Sequence, residues 1–335
     1  MYSGATIDTF TKDEIGPFTL SMYVSVAVSK LDLSMVGESA ALVTSCLWMV
    51  SSLIFTSAGK KIGSLSVNAY RTVIAVGFLV LTHVILLGSI LPLASNGQWF
   101  WMGLSGIVGL GIGDSGLFAA YVTIGPRRSL LLMALAPIFA LVGGYLMLGE
   151  TISALEGIGV AITLLGVTMV VLETDVRPGE ISPSRSVKGY GVLFGLIAAI
   201  GQGVGLVLAK KGIDLNPTAT LNPVSATLMR MILGALFIWA VMLVAGRLPE
   251  LRKAYKNTTG IGHTAAAAFV GPFLGVTLSM VAVTYTDAGV AQTLMSLMPV
   301  LIIPLVWVVY RQRTGWRGIL GAVIAVIGVA ILFLI

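Results

Sequence analysis

One stretch of the chain occurs twice. Leu132-Met133-Ala134-Leu135-Ala136-Pro137 returns as Leu294-Met295-Ser296-Leu297-Met298-Pro299, displaced by 162 residues without a gap. The same displacement carries Gly109 onto Gly271, Gly113 onto Gly275, Gly159 onto Gly321 and Gly166 onto Gly328. Glycine sets how closely helices approach and proline sets where they bend, so the spacing predicts two copies of one structural unit. Both copies are apolar: 57% of the 335 residues are hydrophobic, 10% are charged, and the mean hydropathy is +0.99. A soluble domain carries about 25% charged residues. Lipid is therefore the solvent this chain requires.

A bilayer core about 30 Å thick is crossed by roughly 20 apolar residues at about 1.5 Å each. Ten segments meet that requirement, near 38–58, 66–93, 99–124, 127–148, 153–173, 189–209, 223–246, 261–286, 289–310 and 316–335. The expected fold class is an all-α polytopic membrane protein with ten transmembrane helices. A polar stretch at 173–186, with Pro178 and Pro183, separates them. Residues 38–173 then form a first five-helix repeat, 174–188 a linker, and 189–335 a second five-helix repeat. Five is an odd number, so the second copy enters the membrane from the opposite side. Counting alone gives two inverted repeats, an arrangement that suits moving a solute by alternating access. Residues 1–37 stand outside the repeat and are expected to be a disordered or interfacial tail, with Met35 as an alternative start. They lack the basic start and cleavage site of a signal peptide.

The net charge of +6 sits between apolar runs rather than in one patch, which argues against a nucleic-acid partner. Loops after odd-numbered spans hold most basic residues, among them Lys60, Arg127, Arg247 and Arg311; loops after even-numbered spans hold only Lys210 and Lys211. The positive-inside rule puts the richer face in the cytoplasm and, with ten spans, both termini outside. Insertion of the tail as an eleventh span would return the N-terminus to the cytoplasm. A single Cys46 rules out an intramolecular disulfide and a cysteine-based metal cluster.

Asp114 is the most suggestive residue. It lies in the third span within Gly111-Ile112-Gly113-Asp114-Ser115-Gly116. An ionised carboxylate at the bilayer centre costs on the order of 2.5–3.5 kcal/mol, so it must face a cavity, pair with a cation or hold a proton. It is a candidate substrate or coupled-proton site; the blander reading is a carboxyl bonded to a neighbouring helix. Arg71 and Arg230, early in the second and seventh spans, are charge-balancing candidates, or simply reach the interface with their long side chains. Gln202, Tyr121, Trp48 and Tyr285 are further substrate-binding candidates, each also explicable by packing. Pro137 and Pro299 should kink the fourth and ninth spans by removing a backbone donor.

Enzyme-like strings fail on context. Gly111-x-Gly113-x-x-Gly116 matches a dinucleotide fingerprint but has no preceding strand. Gly113-Asp114-Ser115-Gly116 would need a positioned histidine, and only His83 and His263 exist. No HExxH metal site and no phosphate-binding loop occurs. The expectation is no catalytic set, no metal and no cofactor.

Several features together resemble the EamA-type branch of the drug/metabolite transporter superfamily. They are Gly-Ile-Gly-Asp at 111–114 with Phe118, Pro137 followed by Leu148-Gly149-Glu150, Gly159 with Gly166, Gly271-Pro272-Phe273-Leu274-Gly275, and the second copy ending at Pro299. The resemblance covers about residues 38–335 and implies a ten-helix carrier with a central cavity between the repeats and both termini in the cytoplasm. It also implies an acidic residue closing the fourth span, Glu150, whose counterpart after the ninth is Gln312. The expected function is secondary transport, as export of a small metabolite such as an amino acid across the cell membrane, with the bilayer, the solute and a coupled proton as partners. The alternatives are a non-transporting membrane scaffold, a channel and a membrane-embedded enzyme.

Overall fold

The computed structural model describes residues 17–173, 185–216, 220–298, 300–301 and 315–333. Among these residues every regular element is helical. The first repeat holds α1 (Pro17–Ile62), α2 (Ser64–Leu87), α3 (Asn96–Ser105), a π-helical segment (Gly106–Gly113), α4 (Asp114–Met133), α5 (Ala136–Leu148) and α6 (Ala154–Glu173). The second holds α7 (Arg185–Ile213), α8 (Pro223–Val244), α9 (Leu248–Tyr255), α10 (Thr258–Ala268), a second π segment (Phe269–Gly275), α11 (Val276–Tyr285), α12 (Ala288–Met295) and a final helix, α13 (Trp316–Phe333).

The distribution of side chains is that of a protein in lipid. Leu81, Ile85, Leu146, Leu236 and Ile327 stand exposed on outer helix faces, while Asn68, Arg71, His83, Asp114, Arg230 and Gln292 are buried. Water would favour the reverse. In hydrocarbon the exposed leucines cost nothing, and the polar groups gather where other protein groups can satisfy them. His83 shows the rule: its ring nitrogens lie 2.6 Å from the Ser89 carbonyl and 3.0 Å from Ser225 Oγ.

The sequence repeat is also a repeat of backbone irregularities. Both π segments end at repeated glycines, Gly113 and Gly275. At the first, the Asp114 N–H donates to the carbonyls of Gly109 and Gly111; at the second, the Val276 N–H donates to those of Gly271 and Phe273. Each of these atoms is displaced by the same 162 residues. The breaks that follow correspond as well. Leu135 N–H donates to Leu132 and Ile138 N–H to Leu135, both at 3.0 Å; Leu297 N–H donates to Leu294 at 3.3 Å and Val300 N–H to Leu297 at 2.8 Å.

Six helices are long and apolar enough to cross a membrane: Met35–Gly59, Ser64–Leu87, Asn96–Ala120, Tyr190–Ile213, Pro223–Val244 and Thr258–Tyr285. Three shorter apolar helices, Ala136–Leu148, Ala154–Val170 and Trp316–Leu332, accompany them. Two boundaries differ from the sequence reading. Helical backbone begins at Pro17, upstream of residue 38, and residues 1–16 lie outside the described residues. The loop expected near residue 125 is instead helix, and the chain breaks at residues 134 and 135. That break directly precedes Pro137, whose missing N–H cannot continue the ladder and which becomes an early residue of α5. Most of the ninth expected span, including Pro299, lies outside the described residues.

Glycines hold the two repeats together. The last helices of the repeats, α6 and α13, meet through Gly159 and Gly166 on one side and Gly321 and Gly328 on the other. A Cβ on Gly321 would stand 2.8 Å from the Gly166 carbonyl, and one on Gly166 would overlap the Ala325 nitrogen. Backbones this close gain dispersion contacts that lipid chains cannot match. Gly166→Leu should therefore lower the thermal midpoint of the detergent-purified protein, by an overpacking cost of about 1–3 kcal/mol. Gly157→Ala on the same helix, where a Cβ meets nothing within 4 Å, should leave the midpoint unchanged or raise it.

Candidate substrate site

The first π segment reads Gly-Ile-Val-Gly-Leu-Gly-Ile-Gly. Glycines let neighbouring backbones press against the widened turn, and α7 does so. A Cβ on Gly201 would lie 2.6 Å from the Gly113 Cα, and one on Gly205 would lie 2.8 Å from the Gly109 Cα. The Ser105 hydroxyl donates to the Gly205 carbonyl across this contact. Wide-turn insertions of this type often accompany functional sites because they re-aim the side chains that follow. Here the side chain that follows is Asp114.

Asp114 is buried and bonded on both carboxylate oxygens. Its Oδ2 pairs with Arg71 Nη2 of α2, and its Oδ1 accepts from Gln202 Nε2 of α7 at 2.6 Å. Arg71 Nε donates to Asn68 Oδ1 at 2.8 Å, and Asn68 Nδ2 donates to Ser115 Oγ at 3.2 Å. The Phe55 and Phe118 rings cover the guanidinium, with centroids 5.7 and 5.1 Å from its carbon. Gln202 Nε2 also approaches the Gly109 carbonyl at 3.4 Å. Three candidates picked from the sequence, Asp114, Arg71 and Gln202, thus meet in one polar network that links the two repeats. Asn68 and Ser115 were missed; Asn68 stands three residues before Arg71, on the same helix face.

The remaining candidates lie elsewhere. Arg230 in α8 is 3% exposed; its Nη1 approaches Met280 Sδ at 3.5 Å and its Nε has no hydrogen-bond partner. Trp48 packs against the second π segment, its Nε1 2.7 Å from where a Gly275 Cβ would stand. Tyr285 lines a cavity of about 380 Å³ at the Lys210 end of α7, together with Glu38, Glu156, Asp214 and Asp287. The Tyr121 side chain lies outside the described residues.

At that cavity an ionic network joins the repeats a second time. Gly149, with φ 70°, caps α5 in the left-handed conformation that suits glycine and turns the chain so that Glu150 faces the second repeat. Lys210 Nζ lies 2.8 Å from Glu150 Oε1, 2.9 Å from the Thr286 carbonyl and 3.3 Å from Asp287 Oδ1. Both Glu150 oxygens accept the Ala288 N–H at 3.2 Å, capping α12. Burial pushes the nearby Asp214 carboxyl above its ordinary 3.8, opposed by Lys210 and assisted by Glu150 and Asp287.

The EamA-like transporter family matches residues 35–172 and 189–334, one match in each half. The chain belongs to this family. Among solved structures, one crystal structure of a protein superposes with a TM-score of 0.69, covering 89% of this chain and 96% of that one at 16% identity, which shows a shared fold. No curated protein sequence matches significantly. The chain is accordingly a multi-pass membrane protein of the drug/metabolite transporter superfamily, with the two-repeat architecture of EamA proteins.

Two outcomes follow for this EamA protein. Asp114→Asn strands a buried guanidinium, which should cost about 3–5 kcal/mol, whereas Arg71→Met with Asp114→Leu should recover much of that loss. Thermal midpoints of both singles and the double would show it as a coupling energy. At the rim, a carboxyl whose folded pKa is raised favours the folded state below 3.8 and loses that contribution as pH rises through the folded value. Asp214→Asn should flatten the fall in thermal midpoint over that acid range, read from melts at several pH values.

Proposed function

We propose that this EamA protein is a secondary carrier of ten spans in two inverted repeats, exporting a small metabolite such as an amino acid across the cell membrane by alternating access. One observation carries the reading: a buried ion pair and amide, Arg71–Asp114–Gln202, bridges the two repeats within an apolar bundle. Polar groups at this depth are expensive and mark solute or proton pathways. The arginines favour inversion. Arg71 is the eighth residue of α2 and Arg230 the eighth of α8, so helices entering from opposite faces would hold them at matching depths.

In this mechanism Asp114 and Gln202 face the solute or a coupled proton, Arg71 balances the carboxylate, and Trp48, Tyr121 and Tyr285 line the route. The breaks before Pro137 and Pro299 let the gating helices swing. Glu150 of the first repeat, bonded to Lys210 and to the start of α12, closes the Lys210 face when the repeats rock together. The positive-inside rule puts that face outside the cell. A metabolite at the network would reach one face at a time.

Counterflow in proteoliposomes tests this against a scaffold. Purified protein preloaded with amino acids, sugars or nucleotide metabolites should show saturable uptake of at least one labelled solute. Asp114→Asn should lower that flux about tenfold or more while the protein still elutes as a folded species, the loss expected for one charge-assisted contact. Absence of flux for every solute, or flux that Asp114→Asn leaves intact, would remove the carrier role assigned to this network.

A further inference from the structure

The two repeats share an arginine but not its partner. In the first, Arg71 finds Asp114, the residue that closes the π segment. In the second, Arg230 holds the corresponding place in α8, and the residue that closes the π segment is Val276. Displacing Asp114 by 162 residues gives Val276, so the duplicated unit has kept the cation and has an apolar side chain where its carboxylate would be.

Arg230 is consequently a buried charge without an anion. It is 3% exposed and makes no ion pair. A guanidinium carries five donors and does not shed its proton. The contact assigned to these donors is a thioether sulfur at 3.5 Å, a weak acceptor, and Nε has none. Arg71, Asp114 and Arg230 together hold one net positive charge in the bundle interior, since Gln202, Asn68 and Ser115 are neutral. The guanidinium also borders the polar network: a Cβ on Gly109 would stand 3.2 Å from Arg230 Nη2, and the Gly109 carbonyl is the one that Gln202 approaches. An apolar medium does not tolerate an uncompensated cation unless something supplies the counter-charge.

We propose that Arg230 receives the carboxylate of the transported solute, and that the substrates of this carrier are small carboxylates, α-amino acids among them. The inference rests on the carrier reading above and narrows it. A planar guanidinium offers a carboxylate two parallel hydrogen bonds, and the apolar surroundings strengthen them. The solute's carboxylate would thus complete in the second repeat the pair that Asp114 completes in the first. Asp114 is already taken up by Arg71 and Gln202, so the anion-binding and the carboxylate-bearing halves of the site are separate residues.

The test uses the full chain in detergent and in phosphatidylcholine liposomes. Leucine, butyrate and succinate are the probes, leucinamide and butyramide their carboxylate-free controls, and sodium chloride a control for simple anions. At least one carboxylate should raise the thermal midpoint and drive counterflow where its amide or, for succinate, chloride does neither. Arg230→Gln removes the buried charge without adding volume; it should remain folded and raise the half-saturating carboxylate concentration about tenfold or more. Arg230→Lys should retain part of the affinity. Val276→Asp supplies an internal carboxylate and should abolish binding of the solute's own.

The proposal is overturned if no carboxylate binds, if the amides do equally well, or if Arg230→Gln leaves the affinity unchanged. It is overturned too if chloride, or phosphatidylglycerol added to the liposomes, alone reproduces the Arg230-dependent stabilisation, since the occupant would then be a simple ion or a lipid phosphate. Saturable flux of an uncharged solute that ignores Arg230→Gln would sink the carboxylate site and leave the carrier standing. Arg230-dependent binding without flux would do the opposite.

Discussion

A charged pair in hydrocarbon is tolerable only as a pair, and the Arg71–Asp114 contact places that demand on the centre of this bundle. It ties α2 to the point where the first π segment returns to α-helix. Gln202 extends the tie to α7, and so to the other repeat. None of this is possible at an ordinary helix separation. Gly201 and Gly205 must lie against Gly113 and Gly109 before a short amide side chain on α7 can reach the carboxylate. The glycine contact and the polar network therefore depend on each other. A larger residue at Gly201 would lift α7 away and leave Asp114 short of an acceptor's full complement.

The part of this arrangement that was legible in the sequence is the part that depends on solvent and spacing. Apolar runs, a repeated glycine–proline pattern and lone polar residues inside those runs are visible without coordinates, so Asp114, Arg71 and Gln202 stood out. Partner choice was not visible. Arg71 and Arg230 look alike along the chain, and only the packing of α2 against α4 decides which one Asp114 meets. Asn68 and Ser115 escaped notice because short polar side chains in apolar helices commonly bond their own backbone, as Thr44 does to the Ala40 carbonyl at 2.8 Å. Lys210 was read as a topology signal, yet it is the centre of an ionic network at the rim. Charge counting along loops says on which face a lysine lies, not what it touches.

The duplication separates two kinds of information. Glycine and proline act on the backbone, and their consequences recur in both halves down to individual N–H donors: Asp114 and Val276 at the π segments, Leu135 and Leu297 at the breaks. Side-chain chemistry does not recur. Asp114 answers to Val276, and where Gly201 presses on the first π segment, Trp48 covers the second. A structural repeat has to be kept on both sides, because each half supplies the surface against which the other packs. A single asymmetric solute bound between the halves needs no such symmetry: one half can present a completed ion pair while the other presents an open cation. Selection on packing preserves the scaffold, and selection on the solute breaks its chemistry, which is the pattern these two halves display.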